Sequence, residues 1–190
     1  KNIIETDSPS IMLSSLQDNN DVIAAQYNHV IKTRENAPDD PRFDEQWGLS
    51  NTGQEGGTPN ADIKALKTWD ISTGGKTRDG RDVVIAVIDD GFDLNHIDLQ
   101  FWKNPYEIPN NNIDDDGNGY IDDYNGWNTV TGTDSIQPFD HGTRICGVIG
   151  AIGNNNIGVS GVCWDIKILP VQIKANPNID EASVLKAYAY

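Results

Sequence analysis

Positive charge is scarce in this sequence. Fourteen Lys and Arg stand against 29 Asp and Glu, which leaves a net charge of −15. A phosphate backbone would be repelled, so nucleic acid is excluded as a partner. Cysteine is scarce too: Cys146 and Cys163 are the only two, too few for a disulfide framework and wrongly spaced for a metal site. Their apolar and glycine-rich surroundings favour buried free thiols over a single disulfide. Long apolar runs are missing as well. No stretch approaches the roughly 18 residues that cross a bilayer, so no membrane span is expected. Nor does a signal-peptide pattern begin at Lys1; the opening reads as a piece of a longer precursor.

What remains is enough for a core. The chain has 190 residues, 37% of them hydrophobic, sufficient for one medium domain plus an extra segment. Acidity is bunched at Asp39-Asp40, Asp89-Asp90, Asp114-Asp115-Asp116 and Asp122-Asp123, flanked by Asn and Gly. Such clusters are either solvated turns or sites for hard divalent cations.

Residues 1–37 read as separate from 38–190. Ile11-Met12-Leu13, residues 22–25 and a strand-like alternation over 27–31 containing His29 are too little to form a core. His29 reads as a surface histidine. Ala37-Pro38-Asp39-Asp40-Pro41 then breaks regular structure as a linker or boundary. Beyond it, residues 61–69 have helical spacing, with Ile63, Leu66 and Trp69 on one face and Asp62 in the first turn. A strand runs through Val83-Val84-Ile85-Ala86-Val87-Ile88, predicted to be buried on both faces of a parallel sheet. A helix is expected from about Asp140, a strand over 166–173 interrupted by Pro170, and a final helix capped by Asp180. This alternation is the α/β pattern.

The central strand stops at Asp89, and in open α/β sheets chemistry collects beyond the carboxyl ends of such strands. His141 follows 52 residues later, at the expected start of a helix rich in small residues. An aspartate at a strand end and a histidine at a helix start suit a charge pair. The carboxylate would fix one imidazole tautomer, and the imidazole could deprotonate a serine or cysteine.

Residues 104–128 form a long loop dense in Asn, Asp and Gly, a length uncommon in compact domains unless functional. Within it, Asp114, Asp116, Asn118 and Asp122 fall at the oxygen-ligand positions of a calcium loop. Gly119 takes the turn position, and Tyr120 would contribute its carbonyl. Asn125 stands where the bidentate glutamate belongs, and Asp123 is the expected substitute. No pair of amphipathic helices flanks the loop, so it is not an EF-hand domain.

Val87-Ile88-Asp89-Asp90-Gly91, with Asn95-His96-Ile97-Asp98-Leu99 after it, resembles the catalytic-aspartate motif of the subtilisin-like serine peptidases. His141-Gly142-Thr143-Arg144-Ile145-Cys146-Gly147 resembles their catalytic-histidine motif, in the family's order. The resemblance covers about residues 38–190. It implies a three-layer α/β sandwich with a mostly parallel sheet, incomplete here, and a secreted or extracytoplasmic endopeptidase acting on polypeptides. Asp89 and His141 would be the catalytic residues. Residues 1–37 would be the end of an inhibitory prosegment, making the chain zymogen-like, and 38–190 the N-terminal portion of the catalytic domain. It also implies a second calcium site, with carboxylates from Asp40 and Asp98, a side-chain oxygen from Asn155 and carbonyls from Ile152, Ile157 and Val159. The family's Gly-Thr-Ser motif does not occur before Tyr190, and Ser135 lacks the small-residue helix that follows a nucleophile. The Ser-bearing part is therefore expected as a further partner, and the chain alone is expected to be inactive. Asp90 and Arg144 resemble the kexin-like branch, the Asn/Asp loop the bacterial and protozoan one. Ile97 replaces the usual proline and Cys146 the usual alanine.

Overall fold

The computed structural model describes residues 9–22, 37–175 and 178–190. Contacts divide the chain into two units, Lys1–Thr33 and Arg34–Tyr190. In the first, helix α1 spans Pro9–Gln17, with proline at its start, where a missing N–H costs nothing. It carries the Ile11-Met12-Leu13 piece. The alternation over 27–31, His29 and residues 23–25 lie outside the described residues.

The second unit is built on a parallel sheet of β1 (Val84–Asp89), β2 (Trp127–Asn128) and β3 (Lys167–Gln172), in the order β1-β3-β2. The register places Asp89 and Asn128 on either side of Gln172, so three carboxyl ends share one edge. Helix α3 (Asp140–Gly150) covers one face, where Cys146 packs with Val87, Phe92, Ile166 and Ile168. On the other face, Val184 and Ala187 of α4 (Glu181–Ala189) meet Ile88, Leu169, Val171 and Ile173. The result is an open α/β/α sandwich. A short helix, α2 (Ala65–Trp69), belongs to a separate cluster in which Trp69 packs on Trp164 at 4.1 Å between ring centroids.

Three expectations are corrected. First, β1 is not buried on both faces. Ile85 and Val87 turn into the α3 core, but Val84 is 38% exposed and Ala86 is exposed, because α4 reaches only as far along that face as Ile88. Second, the helix expected over 61–69 begins at Ala65. Asn60 and Lys64 have left-handed φ of 69° and 60°, which breaks a helical path. Asp62 instead accepts the N–H groups of Asn51 and Lys64, and Ile63 is left exposed. Third, Pro170 does not interrupt its strand. Lys167 donates to Val83 on the β1 side and Ile168 to Gln100 on the other. Alternation puts the Pro170 nitrogen on the Gln100 side, between the Phe101 bridge and β2, where no ladder donor is needed. There Gly126, at φ 94°, lets the chain pass. A Cβ on it would lie 2.3 Å from the Pro170 oxygen.

Two local features agree with their sequence signals, the cap of α4 and the unpaired cysteines. Asp180 caps α4 by accepting the Ser183 N–H at 2.7 Å. Both cysteines are free thiols, Cys146 buried and Cys163 half-buried. Burial pushes the Cys146 thiol up to about 12, so it is inert at neutral pH. Among the described residues, no helix is long and apolar enough to cross a membrane.

Candidate active site and cation loops

The turn after β1 and the first turn of α3 are fitted together by small residues. A Cβ on Gly142 would lie 2.3 Å from the Gly91 oxygen and 3.0 Å from the Asp89 Cβ, so only glycine allows this approach. The Gly142 N–H donates to Asp90 Oδ1 at 3.1 Å. Thr143 accepts the Asp93 N–H and donates to the Phe139 carbonyl, tying the helix start to the post-β1 loop.

This docking brings together the two residues that sequence separates by 52 positions: His141 Nδ1 lies 2.8 Å from Asp89 Oδ1. Asp89 also accepts the Asp90 N–H at 2.7 Å, which fixes its carboxylate. The aspartate side chain is 14% exposed and the histidine 70%. With Nδ1–H donating to the carboxylate, the second ring nitrogen carries a lone pair facing outward. The imidazole pKa is raised. The Asp89 hydrogen bond is the largest cause and Asp89's charge the next; slight desolvation opposes them, Asp90 adds, and Lys174 opposes. The sign follows directly. The pair contributes stability that is full below the ordinary imidazole value and is lost as pH rises through the raised folded one.

Lys174 Nζ stands 3.5 Å from Asp90 Oδ2 and 5.5 Å from the Phe139 ring centre. It is the cation that holds the local acidity in check. Lys174→Met should raise the His141 pKa further, read from an NMR titration of its ring resonances. A downward shift would contradict this charge balance.

Behind the pair sits Gln172, fully buried. Its Oε1 accepts from Asn128 Nδ2 at 3.0 Å and the Gln137 N–H at 2.8 Å, and its Nε2 donates to the Asp90 carbonyl at 2.9 Å. One side chain thus joins β3, β2, the approach to α3 and the Asp90 turn. Nothing in Pro170-Val171-Gln172-Ile173 marks this role before the register is known.

The loop at residues 152–159 draws together Asp40, Asp98 and Asn155. Asp40 is buried and accepts the N–H groups of Asn154 and Asn155 and the Ser160 hydroxyl. Asp98, also buried, accepts Asn155 Nδ2 at 2.9 Å and the Val159 N–H at 3.3 Å. Ile152 donates to the Asp98 carbonyl and Ile157 to Asn155 Oδ1. None of the ion pairs among the described residues involves either carboxylate. Two buried carboxylates gathered against one loop, neither in an ion pair among the described residues, fit a hard cation.

In the longer loop, Asp114 and Asp116 converge as their spacing predicts. Asp114 accepts the Asn118 and Gly119 N–H groups, and Asn118 Oδ1 accepts that of Tyr120. Asp122 is directed elsewhere, its two oxygens accepting the N–H groups of Asn111 and Asn112. Asp123 is fully buried and shares with Asp116 the side-chain amides of Asn104 and Asn118. Tyr190 donates its hydroxyl to Asp123. Glu107, seven residues before Asp114, joins the cluster from outside the motif; no local pattern announces it.

The chain is similar to known proteins over most of its length. The sequence model described as "Subtilase family" matches residues 80–190. A Hydra vulgaris protein, PC3-like endoprotease variant B, is 34% identical over 154 residues, covering 80% of this chain and 19% of that protein. Human neuroendocrine convertase 2 is 34% identical over 158 residues, covering 76% of this chain and 20% of that protein. The chain thus spans about a fifth of these curated relatives. Among solved structures, a Pseudoalteromonas arctica protease superposes with a TM-score of 0.52 at 28% identity, covering 80% of this chain and 43% of that one. The Aeromonas sobria serine protease, solved in complex with a chaperone, shares the fold at a TM-score of 0.55 and 24% identity, covering 86% of this chain and 25% of that one.

Proposed function

The chain belongs to the subtilase family, and from that premise we propose that it is part of a calcium-dependent serine endopeptidase. The observation that carries the reading is the 2.8 Å contact between His141 Nδ1 and Asp89 Oδ1, with the imidazole otherwise open to solvent. His141 Nε2 would take the proton of a serine hydroxyl as that oxygen attacks the peptide carbonyl. It would then return the proton to the departing amine. Asp89 would hold the Nδ1–H tautomer and stabilise the imidazolium formed between the two transfers. The serine would come from a Ser-bearing part outside these 190 residues, and the substrate would be a polypeptide. Residues 1–37 would serve as the end of an intramolecular inhibitory prosegment, and the working location would be extracytoplasmic.

Calcium would be held by Asp40, Asp98 and Asn155, with carbonyls of Ile152, Ile157 and Val159, and in the longer loop by Asp114, Asp116, Asn118 and Tyr120. Its contribution is to neutralise and crosslink these loops. At free calcium about 1,000 times its dissociation constant, one site adds roughly 4 kcal/mol to stability.

A fluorophosphonate probe tests the catalytic reading. The complete protein should be labelled at one serine, and the His141→Ala form should not be. An intact, folded protein that resists labelling would identify a pseudopeptidase.

A further inference from the structure

We propose that Glu107 closes a calcium site in the longer loop, with Asp114 and Asp116 as its companions, supplying the carboxylate that is missing where Asn125 stands. The inference deepens the calcium reading of that loop and owes nothing to the catalytic one.

Glu107 is 5% exposed. Its Oε1 accepts the N–H groups of Asp115 at 2.9 Å and Asp116 at 3.2 Å. These two backbone donors hold that oxygen in place. Its Oε2 is also fully buried, yet it is without a partner, the one such side-chain atom among the described residues. Buried polar atoms are otherwise satisfied almost everywhere in proteins, so this oxygen points to a group that completes it. One carboxylate oxygen from each of Glu107, Asp114 and Asp116 lies within 4.8 Å of the others. None of the three takes part in an ion pair among the described residues. A lysine or arginine therefore does not fill the role of counter-charge.

The chemistry selects the ion. Three carboxylates without imidazole or thiolate form a hard-oxygen set suited to calcium. Asn125, at the position of the missing glutamate, is occupied elsewhere: it accepts from Lys103 and donates to Asp134. Glu107 enters instead from the N-terminal side of the loop, so the motif is completed from before its first residue.

Calcium titration of the 190-residue chain by calorimetry, paired with terbium luminescence sensitised by Tyr120 and Trp127, tests this. Glu107→Gln keeps an acceptor for the Asp115 and Asp116 N–H groups. It should therefore fold, with a calcium-free melting temperature at or above that of the wild type. Its dissociation constant at this site should rise about 100-fold, since affinity in such loops follows the count of charged ligands. Asp98→Asn should remove binding at the other site, beside Trp164, and keep the part of the terbium signal that Glu107→Gln removes. Wild-type calcium affinity in Glu107→Gln would overturn the role of Glu107 while leaving calcium in the loop. A terbium signal lost in Asp98→Asn and kept in Glu107→Gln would place the ion at the other loop. Absence of calcium binding by the wild type at millimolar concentrations would remove both readings.

Discussion

Asp89→Asn in the complete protein should lower kcat roughly 10⁴-fold with little change in KM. The carboxylate accepts from both His141 Nδ1 and the Asp90 N–H. Both bonds end on Oδ1, so an asparagine gives up the Asp90 N–H when it turns its NH₂ toward the imidazole. That donor selects the tautomer with the proton on Nε2, the nitrogen that has to receive the serine proton. The fold should survive, because the substitution leaves the shape of the buried turn intact. The His141 pKa should fall back toward its ordinary value, since the carboxylate supplies both leading causes of its rise. The acid limb of kcat/KM should move down with it, as a base is active only when deprotonated. Near-normal peptide hydrolysis by this variant would sink the assignment.

The second large effect should come from Gly142→Ala, at a residue that performs no chemistry. Its Cβ would lie 2.3 Å from the Gly91 carbonyl oxygen, a backbone atom that no rotamer change can move. The first turn of α3 must lift away from β1, at a cost of about 1–3 kcal/mol or more by comparison with overpacked cores. His141 moves with that turn, and a misplacement of about 1 Å costs on the order of 10²-fold in rate. Urea unfolding of the 190-residue chain should show the loss of stability. Gly147→Ala, in the same helix with nothing within 4 Å of the added carbon, should instead gain roughly 0.5–1 kcal/mol. Equal behaviour of the two variants would mean that the fit of α3 on β1 is not what limits substitution.

Where a signal is local, the sequence shows it. The strand ending at Asp89, the helix beginning near His141 and the Asp180 cap are each written within a few residues, by apolar runs, small residues or a capping side chain. The carboxylate spacing around Asp114 is equally local. What the sequence conceals depends on partners far away in the chain. Gln172 is polar in an apolar strand, and only the pairing of Asp89 and Asn128 on either side of it explains why it is buried. Glu107 lies among proline and isoleucine with no motif of its own; the fold of the loop brings it to Asp114. Helix α2 is overestimated because hydrophobic spacing outweighs two left-handed residues that no pattern of apolar positions reveals. The uneven burial of β1 is likewise a matter of which part of the sheet α4 reaches.

The contacts of Asp40 also bear on time. Its carboxylate is bound to Asn154 and Ser160, partners 114 and 120 residues away. Closing such a loop requires the intervening sheet and helix to be in place, and contacts of this span slow folding. The segment around Asp40 should therefore dock late, after the transition state has formed. Interactions made late act mainly on the unfolding rate. An ion bound between Asp40 and Asp98 would accordingly lengthen the life of the folded protein while leaving its rate of formation almost unchanged.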